Sequence, residues 1–193
     1  PEVYRFEADA HTGVAFEAHS VGRELGEAPS RDRLIAGVEL AEAVVERFDD
    51  DDRALALTEA DIRELFSTHV EVIGAHTNDE FAATLIERLC AGLVGRTVAL
   101  GLVHGDLTVA NVLAVDGEPT AIVDWETSLD AAPRFIDAVS LRLSAARTLG
   151  GQEYGTLVVA ALRGADEVET VRLAPAGLGV DTSTAVLATW VFH

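Results

Sequence analysis

His104, Asp106, Asn111 and Asp124 stand among apolar, strand-forming residues in the stretch LVHGDLTVANVLAVDGEPTAIVDWE, residues 102–126. Unpaired polar and charged groups buried in such surroundings cost several kcal/mol, so their presence calls for partners or for chemistry. Asn111 and Asp124 flank two short apolar runs that turn back on each other at Asp116-Gly117, which brings both to the same end of a hairpin, beside the loop carrying Asp106. Hard cations such as magnesium take oxygen ligands, commonly one or two carboxylates completed by water and phosphate, and Asn111 with Asp124 suits that pattern. Asp106 is then left to accept a proton or orient a nucleophile, with metal ions offsetting the charge on a transferring phosphoryl group. A purely structural reading of the same residues stays open at this point: Asp106 and Asn111 capping a loop, Asp124 ending a strand, Glu126 solvated and Trp125 packing.

The elements that must position these residues follow from periodicity. Residues 1–28 alternate as two strands, VYRFEA and GVAFEAHSV, around the turn-like ADAHTG, with a glycine-containing exit VGRELGE, and read as a β-hairpin. Residues 30–96 read as helical: Leu34, Val38, Ala41, Val45 and Phe48 recur at helical spacing, then Ile62, Leu65, Phe66 and Val70, then Phe81, Leu85, Leu89 and Leu93. Thr58 with Asp61 and Thr77 with Glu80 have the spacing of capping pairs. From residue 97 the period changes to that of strands, in TVALGLV, NVLAV and TAIVD. A further helix is expected from Pro133 to about Leu149, since a proline at the first helical position sacrifices no hydrogen bond, and more helix is expected beyond it.

Composition excludes several functions. The chain has 193 residues, 49% of them hydrophobic, enough for one domain or one lobe of a larger protein. No apolar run reaches the ~20 residues of a membrane span, and the N-terminal residues lack the pattern of a secretory signal, so a cytoplasmic protein with no membrane partner is expected. Cys90 is the single cysteine, which rules out disulfides within the chain and cysteine-based zinc clusters. The net charge is −19, and all 14 basic residues are arginine. Such a surface repels nucleic acid phosphates, and molar salt screens its self-repulsion. Acid spread along the whole chain, with no lysine, points to a halophilic protein; attraction of a cationic substrate is the alternative reading. The histidines other than His104 show no metal-ligand spacing and read as surface or locally satisfied groups.

His104-Gly105-Asp106-Leu107, Asn111 five residues after that Asp, and Ile122-Val123-Asp124-Trp125-Glu126 resemble the catalytic segment of the aminoglycoside phosphotransferase and choline kinase-like family, small-molecule relatives of protein kinases. The resemblance implies an α+β, protein kinase-like fold: mainly the helical C-terminal lobe (residues 29–193) with a short catalytic β-hairpin, preceded by a remnant of the N-terminal lobe sheet and connector (residues 1–28). It implies Asp106 as catalytic base and Asn111 and Asp124 as Mg2+ ligands. His104 would brace the loop, and Asp137, in a partial match to a Gly-Asp-Pro and helix-Asp pattern, would hydrogen-bond it. Glu17, Ala18 and His19 fall where the family's connector meets the adenine of ATP.

In kinases of this fold an N-terminal lobe covers the phosphates and supplies a lysine that pairs with them. This sequence contains no lysine, and the expectation is either the catalytic lobe of a longer protein or a shortened relative. Two functions follow: an ATP- and Mg2+-dependent phosphotransferase acting on a hydroxyl of a small molecule, a cationic one among the options, or a non-catalytic kinase-like module that binds a ligand or partner. Acidic helix residues such as Glu39, Glu42 and Glu80 could face a cationic ligand or simply solvent.

Overall fold

The computed structural model describes residues 22–46, 53–175 and 177–193. The hairpin expected before residue 22, with Glu17, Ala18 and His19, and Phe48 of the first helical stripe lie outside them.

The described chain begins with a two-residue strand β1 (Arg23–Glu24) and a 3-10 turn (Leu25–Glu27), then helix α1 (Arg31–Val45). Strand β2 (Arg53–Ala56) leads to helices α2 (Glu59–His76) and α3 (Asp79–Leu93). Strand β3 (Thr97–Val103), the hairpin β4 (Val112–Val115) and β5 (Glu118–Ile122), and strand β6 (Leu129–Pro133) follow. Helix α4 (Phe135–Gly150), helix α5 (Tyr154–Leu162), a ribbon of β7 (Glu167–Val168) and β8 (Val171–Arg172), and helix α6 (Thr182–Phe192) complete it. Among the described residues the strands form two small three-stranded antiparallel sheets, β1-β4-β5 and β2-β3-β6, plus the ribbon. Helix and small sheets together are compatible with the expected α+β, kinase-like class.

The core explains why the helices settle where they do. Leu34, Val38 and Ala41 of α1, Ile62, Phe66 and Val70 of α2, and Leu85, Leu89 and Leu93 of α3 all face inward, as the helical spacing predicts. Helix α4 runs through the middle of the molecule, burying Ile136, Val139, Leu141, Leu143, Ala145 and Ala146. Arg142 of α4 grips Glu42 of α1 through two parallel bonds, Nε to Oε1 at 2.5 Å and Nη2 to Oε2 at 2.6 Å. Burial pushes the Glu42 carboxyl up and the guanidinium pulls it back. Glu42 therefore faces its arginine, while Glu39 and Glu80 are exposed.

Several sequence expectations give way here. The stretch read as helical from 30 to 96 contains β2, whose residues RALA are too few to show a period. They become a strand by pairing with β3, Leu55 opposite Val98 and Ala56 opposite Thr97. Pro133 ends β6 instead of opening α4: it stands opposite Leu100 on an edge of the sheet, where a missing amide breaks no ladder, and α4 begins at Phe135. Thr58 and Asp61 make the expected reciprocal capping box. Thr77 does not cap α3; its hydroxyl donates to the Ile73 carbonyl behind it, and Asn78 accepts the Phe81 amide instead. The β7-β8 ribbon turns at Glu169-Thr170, both with left-handed φ (51° and 63°). No Gly or Asn marks that turn in the sequence.

Candidate active site

Strand β3 delivers the chain to the site. Its Val98 and Val103 are buried, and it lies between β2 and β6. His104 follows immediately and is fully enclosed. Its Nε2 lies 2.8 Å from the Val123 carbonyl, an obligate acceptor, so Nε2 carries the proton and Nδ1 accepts the Asp106 amide at 3.3 Å. Trp125 covers the imidazole, the rings 4.7 Å apart and tilted by 49°, and donates its indole N–H to the Ile122 carbonyl at 3.0 Å. His104 thereby joins the loop to the far end of the β4–β5 hairpin.

Asp137 holds the same loop from below. It lies in the first turn of α4, only 1% exposed, and both carboxylate oxygens accept backbone amides: His104 N–H to Oδ2 at 2.6 Å and Gly105 N–H to Oδ1 at 3.0 Å. Burial raises its pKa, the two amides oppose that shift, and the nearby Asp106 charge adds to it. Gly105 has φ +84°, and a Cβ there would press inside van der Waals contact of the Thr127 carbonyl oxygen. Thr127 also donates its hydroxyl to the His104 carbonyl at 3.0 Å. The turn after His104 is thus clamped on three sides, and Asp106 emerges from it exposed.

Asn111 closes the loop. Its Nδ2 donates to the Asp106 carbonyl at 2.8 Å and lies 3.5 Å from Oδ2 of the Asp106 side chain, which leaves Oδ1 as the atom able to ligate a cation. The hairpin continues the ladder past the Val112–Ile122 pair with a Val123 N–H to Asn111 carbonyl bond of 3.0 Å. Asp124 is the next residue, exposed, in the left-handed conformation (φ 68°, ψ 53°) that Asp tolerates better than most residues. The opposite end of the hairpin is the Asp116-Gly117 turn (φ 52° and 84°), packed against Arg33 of α1. Because Val112 pairs with Ile122, Asn111 and Asp124 lie just beyond that pair, at the end away from the turn, as the sequence implied.

The sequence model of the phosphotransferase enzyme family matches residues 8–174. The chain belongs to this family of phosphotransferases. The match takes in the whole loop and hairpin just described, and it agrees with the aminoglycoside phosphotransferase and choline kinase-like resemblance of the HGD and DWE segments. Phosphotransferases of this family generally use ATP and Mg2+. A comparison with curated proteins finds no match. Asn111 and Asp124 carry oxygen donors of the kind magnesium takes beside water and phosphate oxygens; among the described residues no group of three or more His, Cys, Asp or Glu could hold a metal ion. Among the described residues no helix is long and apolar enough to cross a membrane.

A cleft of about 570 Å³ opens beside Asp106, lined by His69, Thr108, Thr127, Ser140, Tyr154, Phe192 and His193 among others. No pattern of residues announces that His69 of α2, Tyr154 of α5 and His193 after α6 meet in one place. Nothing in their spacing relates them to the HGD loop; only the packing of α2, α4, α5 and α6 does. His76, by contrast, is locally satisfied, its Nδ1 2.8 Å from the Val72 carbonyl.

Proposed function

We propose that this phosphotransferase moves the γ-phosphoryl group of ATP to a hydroxyl of a small molecule. The observation that carries this reading is the placement of Asp106 and Asn111 on one clamped turn, with Asp124 on the hairpin end beside it, next to an open cleft. Asp106 serves as the base: exposed at the cleft, it accepts the proton of the acceptor hydroxyl as that oxygen attacks phosphorus. Asn111, tethered to the Asp106 carbonyl, keeps this carboxylate and its own Oδ1 at a fixed separation. Asn111 and Asp124 would hold Mg2+, which when bound supplies charge neutralisation for the phosphoryl oxygens. His104 and Asp137 position the turn and touch no substrate; preorganisation of this kind removes reorientation at the moment of transfer.

One observation favours a second reading. The sequence has no lysine for the phosphate-pairing role, and an arginine is a planar fork where the fold ordinarily uses a compact ammonium. A kinase-like module that binds ligand without transfer is the corresponding alternative. The two separate in one assay: the full chain with γ-labelled ATP, Mg2+ and a panel of hydroxyl acceptors, following label into the acceptor. Transfer that Asp106→Asn abolishes while Mg2+-dependent ATP binding persists supports the phosphotransferase. ATP binding with no transfer to any acceptor supports the module, and phosphate release without an acceptor would mean hydrolysis.

A further inference from the structure

The cleft beside Asp106 contains little charge. Among the described residues lining it, Asp106 is the one carboxylate, and there is no arginine. The remaining polar groups are the hydroxyls of Thr108, Thr127, Ser140 and Tyr154 and the imidazoles of His69 and His193. Burial lowers the pKa of both histidines; at His193 the Asp106 charge opposes that shift and His69 adds to it. Glu24, Glu27 and Glu153 line a separate cleft that meets this one at Thr108 and also contains Arg147.

The cleft has an aromatic side. His69 stacks on Phe192, ring centroids 4.7 Å apart and planes within 24°. Each ring covers one face of the other, and what the pair offers the cleft is apolar ring surface against which C–H groups of a ligand can pack. Tyr154 adds a hydroxyl that is fully enclosed and has no hydrogen-bond partner among the described residues. Its pKa is pushed up to about 12 by burial and the Asp106 charge, so it remains a donor at any working pH. A buried hydroxyl with nothing to bond is costly in the free protein. Its cost is relieved by a ligand oxygen placed in the cleft.

We infer that the cleft takes an uncharged polyhydroxylated ring, a sugar or cyclitol, as the acceptor: its hydroxyls meet Tyr154, Ser140 and the threonines, one hydroxyl faces Asp106, and its C–H groups pack against the His69–Phe192 pair. The inference rests on the phosphotransferase reading for the word acceptor, but not for the binding preference. A polyamine would find a single carboxylate for several ammonium groups, the rest being desolvated without partners. The acidity of the chain as a whole does not alter this, because that long-range attraction is screened at high salt while contacts in the cleft are not.

The test uses the full chain in molar KCl without nucleotide. Binding of myo-inositol and glucose is compared by saturation-transfer NMR and calorimetry with that of their cationic counterparts, 2-deoxystreptamine and glucosamine. The neutral members are expected to bind at least about tenfold tighter, equivalent to ~1.4 kcal/mol. Tyr154→Phe is expected to weaken the neutral rings by about three- to tenfold, the worth of one hydrogen bond, with an unchanged or higher urea midpoint, since it deletes an unsatisfied group. Equal or tighter binding of the cationic members overturns the inference, as does no binding of either kind, or a Tyr154→Phe chain that binds neutral rings as the wild type does. Mg2+–ATP binding on the same sample reports on the phosphotransferase reading separately: its loss with the neutral preference intact sinks that reading and leaves the ligand class standing.

Discussion

Replacing Asp137 by Asn tests whether the turn at His104-Gly105-Asp106 is held from helix α4. Both Asp137 oxygens accept buried amides, from His104 at 2.6 Å and Gly105 at 3.0 Å. Asn offers one oxygen, so one amide is left facing an NH2 donor, a loss of about 1–3 kcal/mol; Ala leaves both amides unpaired, roughly doubling it. The sign of the pH dependence follows from the raised pKa. Because the native carboxyl ionises at higher pH than the unfolded one, the native state binds more protons in the window above the ordinary value of 3.8, and wild-type stability falls as pH rises through that window. Asn does not titrate, so the gap between wild type and Asp137→Asn is widest below the window and narrows above it. Urea unfolding followed by circular dichroism at acidic and neutral pH, in molar KCl, measures both effects. An Asn variant as stable as wild type at both pH values, or a gap that widens as pH rises, would refute the reasoning.

Other consequences are as direct. Gly105→Ala should destabilise by more than the ~1–2 kcal/mol of left-handed strain alone, because the new methyl meets the Thr127 carbonyl, and it should weaken Mg2+–ATP binding; a fully stable, fully binding variant would contradict the clamp. Arg142→Met leaves Glu42 buried without its guanidinium and should cost about 3–5 kcal/mol in thermal or urea unfolding, whereas Arg142→Met with Glu42→Leu should recover most of it. Thr58→Ala removes the cap of α2 and should cost about 1 kcal/mol by the same measurement, with nucleotide binding unchanged.

The sequence made the site legible where local rules act alone. Asp116-Gly117 specifies its own turn, so the shared end of Asn111 and Asp124 could be inferred from a few residues, whereas the one-residue register shift between Leu113 and Ala114 left no mark in the pattern. The capping box of Thr58 and Asp61 is equally local. The strand β2 and the start of α4 were not legible because both depend on β3: RALA has no period of its own, and Pro133 is suited to an edge strand as well as to a helix start. Thr77 and Asn78 are adjacent candidates for one cap, and the choice falls to the residue whose side chain reaches the Phe81 amide. The cleft beside Asp106 was hidden for a different reason. His69, Tyr154 and His193 are dozens of residues apart, and only helix packing gathers them beside Asp106.

Asn111 and Asp124 are proposed to hold the metal of a bound nucleotide. Calorimetry of ATP binding in molar KCl, with and without Mg2+, on the full chain and on Asp124→Asn tests it most directly. Binding is expected to require Mg2+ and to weaken by at least about tenfold, ~1.4 kcal/mol, in the variant. ATP binding by a folded chain that is indifferent to Mg2+ and to the substitution, or no ATP binding at all, would contradict it.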